Sequence, residues 1–280
     1  MSKIVCMSLP YMSYSIERAF EGISRAGYSY VSFGLPHAGM EVPDEDDDMA
    51  VGTLRELLDK YELTPVMLIC NKQFKFDQPL ERAYRRLETA KALGIKEVLT
   101  GGTTNYKKYP DELLPLQQYE QNNRKFVEHY KKIAEKAEEL GIVITLKPYT
   151  GNTATSKEIK ETIDQIGSPI IQACYDAGNV QFYEGIDAAA DFPNIAHKTH
   201  SIIAKDHRGM RGNLDFPIPG TGDVDFRSIF NTWNKCTGGN GYVLVERVDG
   251  PSDPELIDQR IAESRIQLEQ LLDHIVDYGF

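Results

Sequence analysis

Eight times along this chain a short apolar run gives way to a stretch with helical spacing, and that recurrence restricts the fold more than any other feature. The runs occupy residues 3–9, 28–34, 65–70, 96–102, 142–147, 170–176, 201–206 and 241–246. They are rich in Val and Ile and do not alternate cleanly, as parallel strands covered by helices require. Between them, apolar residues recur at steps of three and four, clearest at Phe126, Tyr130, Ile133, Ala134, Ala137 and Leu140. Gly27, Gly94 and Gly141 stand where helices should close in the left-handed conformation, and Thr155 with Glu158, and Asp253 before Pro254, read as helix starts.

Eight strand–helix units in 280 residues, with no composition shift or low-complexity linker, predict an α/β fold made of a single (β/α)8 TIM barrel spanning residues 1–280 as one domain. A doubly wound sheet would carry a glycine-rich first turn, and "SLPYMSYS" has none. A net charge of -11 argues against a nucleic-acid partner, because phosphate binding draws on clustered Lys and Arg. The N-terminus has no long apolar core and no stretch reaches membrane-span length, so a cytoplasmic location is expected. Cys6, Cys70, Cys174 and Cys236 are far apart and read as reduced, mostly core residues.

In such a barrel the active site is built where the strands stop. The fifth run ends in "TLKPYTGN", an ammonium followed by residues that forbid the strand to continue. On one strand that could be a lysine snorkelling into water. Lys147, Asp176, Lys205 and Glu246 however end four consecutive strands. Alternation puts each on the face of a partner one layer below: Thr145, Cys174, Ile203 and Leu244. Two ammoniums and two carboxylates at one mouth form a nearly neutral cluster whose burial would perturb each pKa. Other stops are Leu9, Tyr11, Asn71, Lys72, Thr103, Thr104 and Arg247. His37, Tyr149, Asn179, His207, Arg208 and Arg211 are the candidate substrate contacts, with Asn152 beside them. Tyr11, Tyr149, Phe182 and Tyr183 offer rings that stack on a sugar or floor a pocket. The connection 206–223 is long enough to act as a lid. The acid run "EVPDEDDDMA" reads as a solvated helix start, and His129, His197 and His274 fall on helices, away from the site.

"YDAGNVQFYEG", "AKDHRG", "PGTGDVDFRSIF" and "VLVERVDG", in that order, resemble the xylose-isomerase-like barrels, the sugar phosphate isomerase/epimerase-like proteins. The resemblance implies a sugar isomerase or epimerase, or a keto-sugar lyase or dehydratase. It also brings in an endonuclease branch, which would need a histidine-rich multi-metal site and a basic face that this sequence lacks. It further implies a divalent metal (Mn, Mg or Zn) held by Glu, Asp, His and Glu at the ends of strands five to eight, and a substrate-contacting His three residues after the Asp. Asp176 and Glu246 match that set. Lys147 replaces the first Glu, Asn179 the contacting His, and Ile203 the ligand His.

An ammonium a few Å from a divalent ion is repelled by several kcal/mol even at an effective dielectric of about 20. Lys147 therefore reads as a substitute for the metal, polarising a carbonyl or holding an oxyanion. Forming an imine with Lys205 as its neighbour is a second role, and His207 or His37 from the loops would restore an ion to Asp176 and Glu246. The expected chemistry is proton removal next to a carbonyl of a small-molecule sugar or keto-sugar, with Glu246 or Asp176 as base. A barrel that binds sugar without chemistry stays open, as does assembly into a homo-oligomer.

Overall fold

The computed structural model describes residues 3–103 and 114–275. Thr104, one of the strand stops, lies outside them. Strands β1 (Lys3–Met7), β2 (Tyr30–Phe33), β3 (Thr64–Ile69), β4 (Glu97–Thr100), β5 (Val143–Leu146), β6 (Ile171–Asp176), β7 (Thr199–Ile203) and β8 (Tyr242–Val245) pair in parallel with their sequence neighbours. β8 returns to β1, with Lys3 opposite Tyr242 and Cys6 opposite Val245, so the sheet closes into the expected barrel. β7 stops at Ile203, and the chain beyond it passes Lys205 and Asp206 as a loop.

Helices Ile16–Arg25, Ala50–Lys60, Leu80–Ala92, Leu116–Leu140, Ser156–Ile166, Phe226–Thr237 and Pro254–Asp273 cover the outside. The strict strand–helix alternation breaks after β6. Instead of one long helix, short turns occupy Ala177–Asn179, Val180–Glu184 and Ala188–Asp191. Asp176 starts the first of them by accepting a hydrogen bond from Asn179 N at 2.9 Å, so the strand end and the turn share one carboxylate. Gly141 closes Leu116–Leu140 at φ 66°, as its position in the sequence suggested. Asp253 caps Pro254–Asp273 by accepting from the backbone of Glu255 and Leu256. Thr155 behaves differently. It occupies the N-cap of Ser156–Ile166, but its hydroxyl donates to the Glu158 carboxylate instead of accepting from the backbone. In the acid run, Asp47 accepts from Met49 N at 2.8 Å just before Ala50–Lys60, while Glu45 is drawn away to Arg82, 3.0 Å distant.

Two apolar layers hold the barrel. One lies between strands and helices, and the other fills the barrel interior with Val5, Met67, Leu99, Cys174, Ile203 and Leu244 among its members. Cys174, Ile203 and Leu244 thus lie where alternation placed them, one layer below the charged residues at the mouth. Thr145, the fourth of that layer, donates to Glu97 Oε1 at 2.9 Å, and Ser201 donates to the same oxygen at 2.5 Å. Glu97 is fully buried at the lower end of the lumen, a position that no spacing in the chain announces.

Burial pushes the Glu97 carboxyl up to about 7, opposed by the Ser201 and Thr145 hydrogen bonds. His200 Nε2 stands 3.8 Å from Glu97 Oε2, but burial lowers its pKa and removes most of its countercharge at neutral pH. A carboxyl whose folded pKa is raised stabilises the fold below its unfolded value, near 4.5, and loses that contribution as pH rises toward about 7. Glu97→Gln, which mimics the protonated acid, should match wild type in denaturant unfolding at pH 4.5. At pH 8 it should be more stable, by on the order of 3 kcal/mol at most. Equal stability at both values would show that folding does not raise the Glu97 pKa.

Candidate active site

Lys147, Asp176, Lys205 and Glu246 converge at the C-terminal mouth. Lys147 Nζ lies 3.0 Å from Asp176 Oδ2 and hydrogen-bonds Glu246 Oε1. Lys205 Nζ lies 2.9 Å from Asp176 Oδ2 and 2.9 Å from Glu246 Oε2, and it donates to Asn179 Oδ1 at 2.6 Å. The four charges alternate around a ring, so each ammonium bridges both carboxylates.

The members are not equivalent. Asp176 has no solvent exposure, whereas the Glu246 and Lys147 side chains retain 8% and 13% and face a cavity. An ammonium has three donors. Asn179, Glu246 and Asp176 take up those of Lys205, while Lys147 has two partners among the described residues and keeps one donor for the cavity. Burial works against the Lys147 cation, but Glu246 and Asp176 outweigh it and hold its pKa above the ordinary lysine value. Burial likewise opposes the Glu246 carboxylate, yet the two ammoniums keep it below the usual range. For Asp176 burial wins and its pKa rises despite the same two cations. Imine formation requires a neutral amine and hence a lowered pKa, the opposite of what Lys147 experiences.

Of the other candidates, Asn179 and Tyr149 line the same cavity, which has a volume of 640 Å³. Asn179 spans Lys205 and Pro148 O, 2.7 Å from its amide nitrogen, and so fixes the strand-five turn against Lys205. Tyr149 meets Tyr183 edge to face at 4.5 Å. His37, His207, Arg208 and Arg211 stand outside the lining, contrary to their expected position. His37 is buried, with Nε2 2.9 Å from Ser8 Oγ and Nδ1 3.2 Å from both Tyr11 O and Tyr14 O, so it fastens two loops together. His207 donates from Nε2 to Asn213 O at 2.9 Å and packs its ring on Phe182 and Phe216. Arg208 donates to Thr221 O at 2.7 Å and pairs with Asp215; Arg211 donates to Tyr183 O at 2.7 Å. Asn152 also turns inward, accepting from Thr103 N at 2.6 Å.

The long connection after β7 is closed on itself by Asp206. Its buried carboxylate accepts from the backbone N–H groups of His207, Gly220, Gly222 and Val224 at 2.7 to 3.1 Å. A Cβ at Gly222 would collide with that carboxylate. Phe216, carried on this loop, lines the cavity with Arg247 stacked 4.1 Å from its ring. Nothing in the spacing of "GNLDFPIPG" marks Phe216 as a wall residue.

A family model, the xylose isomerase-like TIM barrel, matches residues 20–269. The chain belongs to that family. Inosose dehydratase of Clostridium perfringens is 25% identical over 150 residues, 48% of this chain and 50% of that protein. The chain thus spans about half the length of the curated relatives it matches. Among solved structures, a D-tagatose 3-epimerase-like protein superposes with a TM-score of 0.75 at 15% identity, over 98% of both chains. The D-allulose 3-epimerase of Methylomonas sp. gives 0.71 at 20%, over 97% of this chain and 98% of that one. The IOLI protein with a bound zinc atom gives 0.74 at 16%, over 98% and 99%. These likenesses establish the fold.

The divalent ion expected of this family does not fit the residues present. Among the described residues no group of three or more His, Cys, Asp or Glu side chains is placed to hold one. Asp176 and Glu246 both turn to ammoniums, and His37 and His207 are engaged elsewhere. Among the described residues no helix is long and apolar enough to cross a membrane.

Proposed function

We propose that this barrel removes a proton from the carbon next to a carbonyl of a sugar or keto-sugar, as an isomerase or epimerase, with the Lys147 ammonium doing the electrostatic work of a metal. The observation that carries this reading is the spare Lys147 donor facing the cavity beside Glu246. The substrate carbonyl oxygen accepts from Lys147, and Glu246 takes the adjacent C–H proton. Negative charge then accumulates on that oxygen, where preorganised cations are worth most. As Lys147 turns toward the oxyanion, Glu246 loses part of its pairing and gains basicity when it must hold the proton. Reprotonation of the same carbon from the opposite face gives an epimer, while return of the proton to the former carbonyl carbon, with the neighbouring hydroxyl's proton passing to the first oxygen, gives an isomer. Asp176, without access to the cavity, positions both lysines.

The inosose dehydratase relatives favour a second outcome at the same intermediate, loss of a β-hydroxyl as water. Both outcomes begin with the same step, so solvent-deuterium exchange into ketohexoses and keto-sugars, followed by NMR, tests them together. Exchange is expected, and it should persist in EDTA. Loss of exchange on chelation, restored by Mn, Mg or Zn, would return the chemistry to a metal. Binding of the same compounds without exchange would make the chain a sugar-binding barrel.

A further inference from the structure

One base accounts for only part of the proposed chemistry. Glu246 can return a proton to the face it came from or to the former carbonyl carbon. Forming an epimer, or expelling a hydroxyl from the far side, needs a second group that delivers a proton from the opposite direction. Asp176 has no access to the cavity, and the three donors of Lys205 are taken up by Asn179, Asp176 and Glu246. Arg247 is stacked on Phe216 and paired with Asp249 at 2.8 Å, and a guanidinium does not give up its proton. The Tyr130 hydroxyl is held against Thr100 Oγ1 at 2.8 Å. Lys75 and Asp77 are exposed, where bulk water competes for any proton they carry. Of the titratable groups in the lining beyond Lys147 and Glu246, Tyr149 and Tyr183 remain.

Both are half-buried and stand on the loops after β5 and β6, with β7 between them and the β8 end that carries Glu246. Their backbones are pinned. Asn179 holds Pro148 O just ahead of Tyr149, Tyr149 N donates to Thr153 O at 3.2 Å, and Arg211 Nε donates to Tyr183 O at 2.7 Å. The rings meet edge to face at 4.5 Å, and the two side chains share a hydrogen bond. Burial, that bond and the negative charges of Asp176 and Glu246 all push the Tyr183 pKa up. Tyr183 therefore keeps its proton and donates it to the Tyr149 oxygen, which leaves the Tyr149 proton for the cavity and stabilises a phenolate there.

We propose that Tyr149 is the second proton-transfer residue of this site and that Tyr183 is a positioning residue that holds its oxygen. This rests on the proton-removal reading above. Once Glu246 holds the first proton and Lys147 the oxyanion, the enediolate re-forms its carbonyl while the carbon takes the Tyr149 proton on its opposite face, giving the epimer. In elimination the oxyanion re-forms the carbonyl, the carbon–carbon pair moves to the α,β bond, the C–O bond breaks, and the departing hydroxyl takes the Tyr149 proton to become water. Either route leaves a Tyr149 phenolate and a protonated Glu246, and solvent carries the proton from one to the other.

The test follows two rates in D2O with D-fructose and 3-keto-D-glucose: deuterium entry into recovered substrate, and formation of epimer or dehydrated product. Tyr149→Phe should lower product formation by roughly 10² to 10³, within the range for one acid–base group, while recovered substrate still exchanges. Tyr183→Phe should shift the ratio of product to exchange in the same direction by roughly tenfold, the scale of one hydrogen bond, whereas a packing defect would lower both rates together. Product formation at the wild-type rate in Tyr149→Phe overturns the assignment and leaves proton removal standing. Equal losses of exchange and product in that variant also overturn it, making Tyr149 a packing residue. An aldose that retains the substrate hydrogen, as the sole wild-type product, leaves no task for a second group and overturns it as well. Absence of exchange in the wild type would sink the proton-removal reading and this proposal with it.

Discussion

Lys147→Met is expected to lower the rate of α-proton exchange by roughly 10² to 10³, the range found when one preorganised oxyanion donor is removed. Methionine keeps much of the apolar stem but leaves Asp176 and Glu246 facing a single ammonium. Because an unbalanced buried charge is costly, the variant should also unfold at lower denaturant, by on the order of 3 kcal/mol. Lys147→Arg keeps the charge and should recover stability more than rate, since a planar guanidinium cannot place one donor where the ammonium did. Borohydride added with substrate should trap no adduct at Lys147. A methionine variant that exchanges protons at the wild-type rate would remove this lysine from the chemistry and leave it a structural member of the ion-pair ring.

Glu246→Gln should reduce exchange by roughly 10² or more while preserving the fold, because the amide keeps shape and hydrogen bonding but cannot take a proton. Asp176→Asn supplies the contrast. Asp176 lies beneath both lysines with no exposure, so its substitution should act through their placement and raise KM as well as lower kcat. If glutamine at 246 left exchange unchanged while asparagine at 176 abolished it, the base would be Asp176, and the assignment of roles within the ring would invert.

The barrel and its charged ring were legible for a shared reason: strands impose a period. Once Val143–Leu146 and Ile171–Asp176 are strands, the residue ending each run and the residue two positions back must share a face, which is how Thr145 and Cys174 foretold the places of Lys147 and Asp176. Loops impose no such period, and there the reading thinned. His37, Arg208 and Arg211 have the chemistry of substrate contacts, yet each is absorbed by backbone carbonyls or a neighbouring carboxylate that no spacing announces. Glu97 was passed over because a carboxylate at the start of a strand reads as surface. Its register with Val143 of β5, one residue before the pair Val98 and Ile144, instead carries it into the lumen. Several apolar residues of the cavity lining escaped for a different reason. Leu35, Phe76 and Phe126 come from two separate loops and a helix, and only the closed barrel brings them together.

Asp206 has a consequence for how such a protein changes over generations. Because one buried carboxylate ties His207 at one end of the connection to Gly220, Gly222 and Val224 at the other, the intervening stretch leaves and re-enters the barrel at nearly the same point. Insertions between Arg208 and Pro219 therefore keep the same anchor on the barrel, while wholesale exchange there must also replace the contacts of Arg211 with Tyr183 and of Phe216 with Arg247. Phe216 rides on this connection, so a change of that one segment alters a wall of the cavity while Lys147, Asp176, Lys205 and Glu246 keep their places at the strand ends.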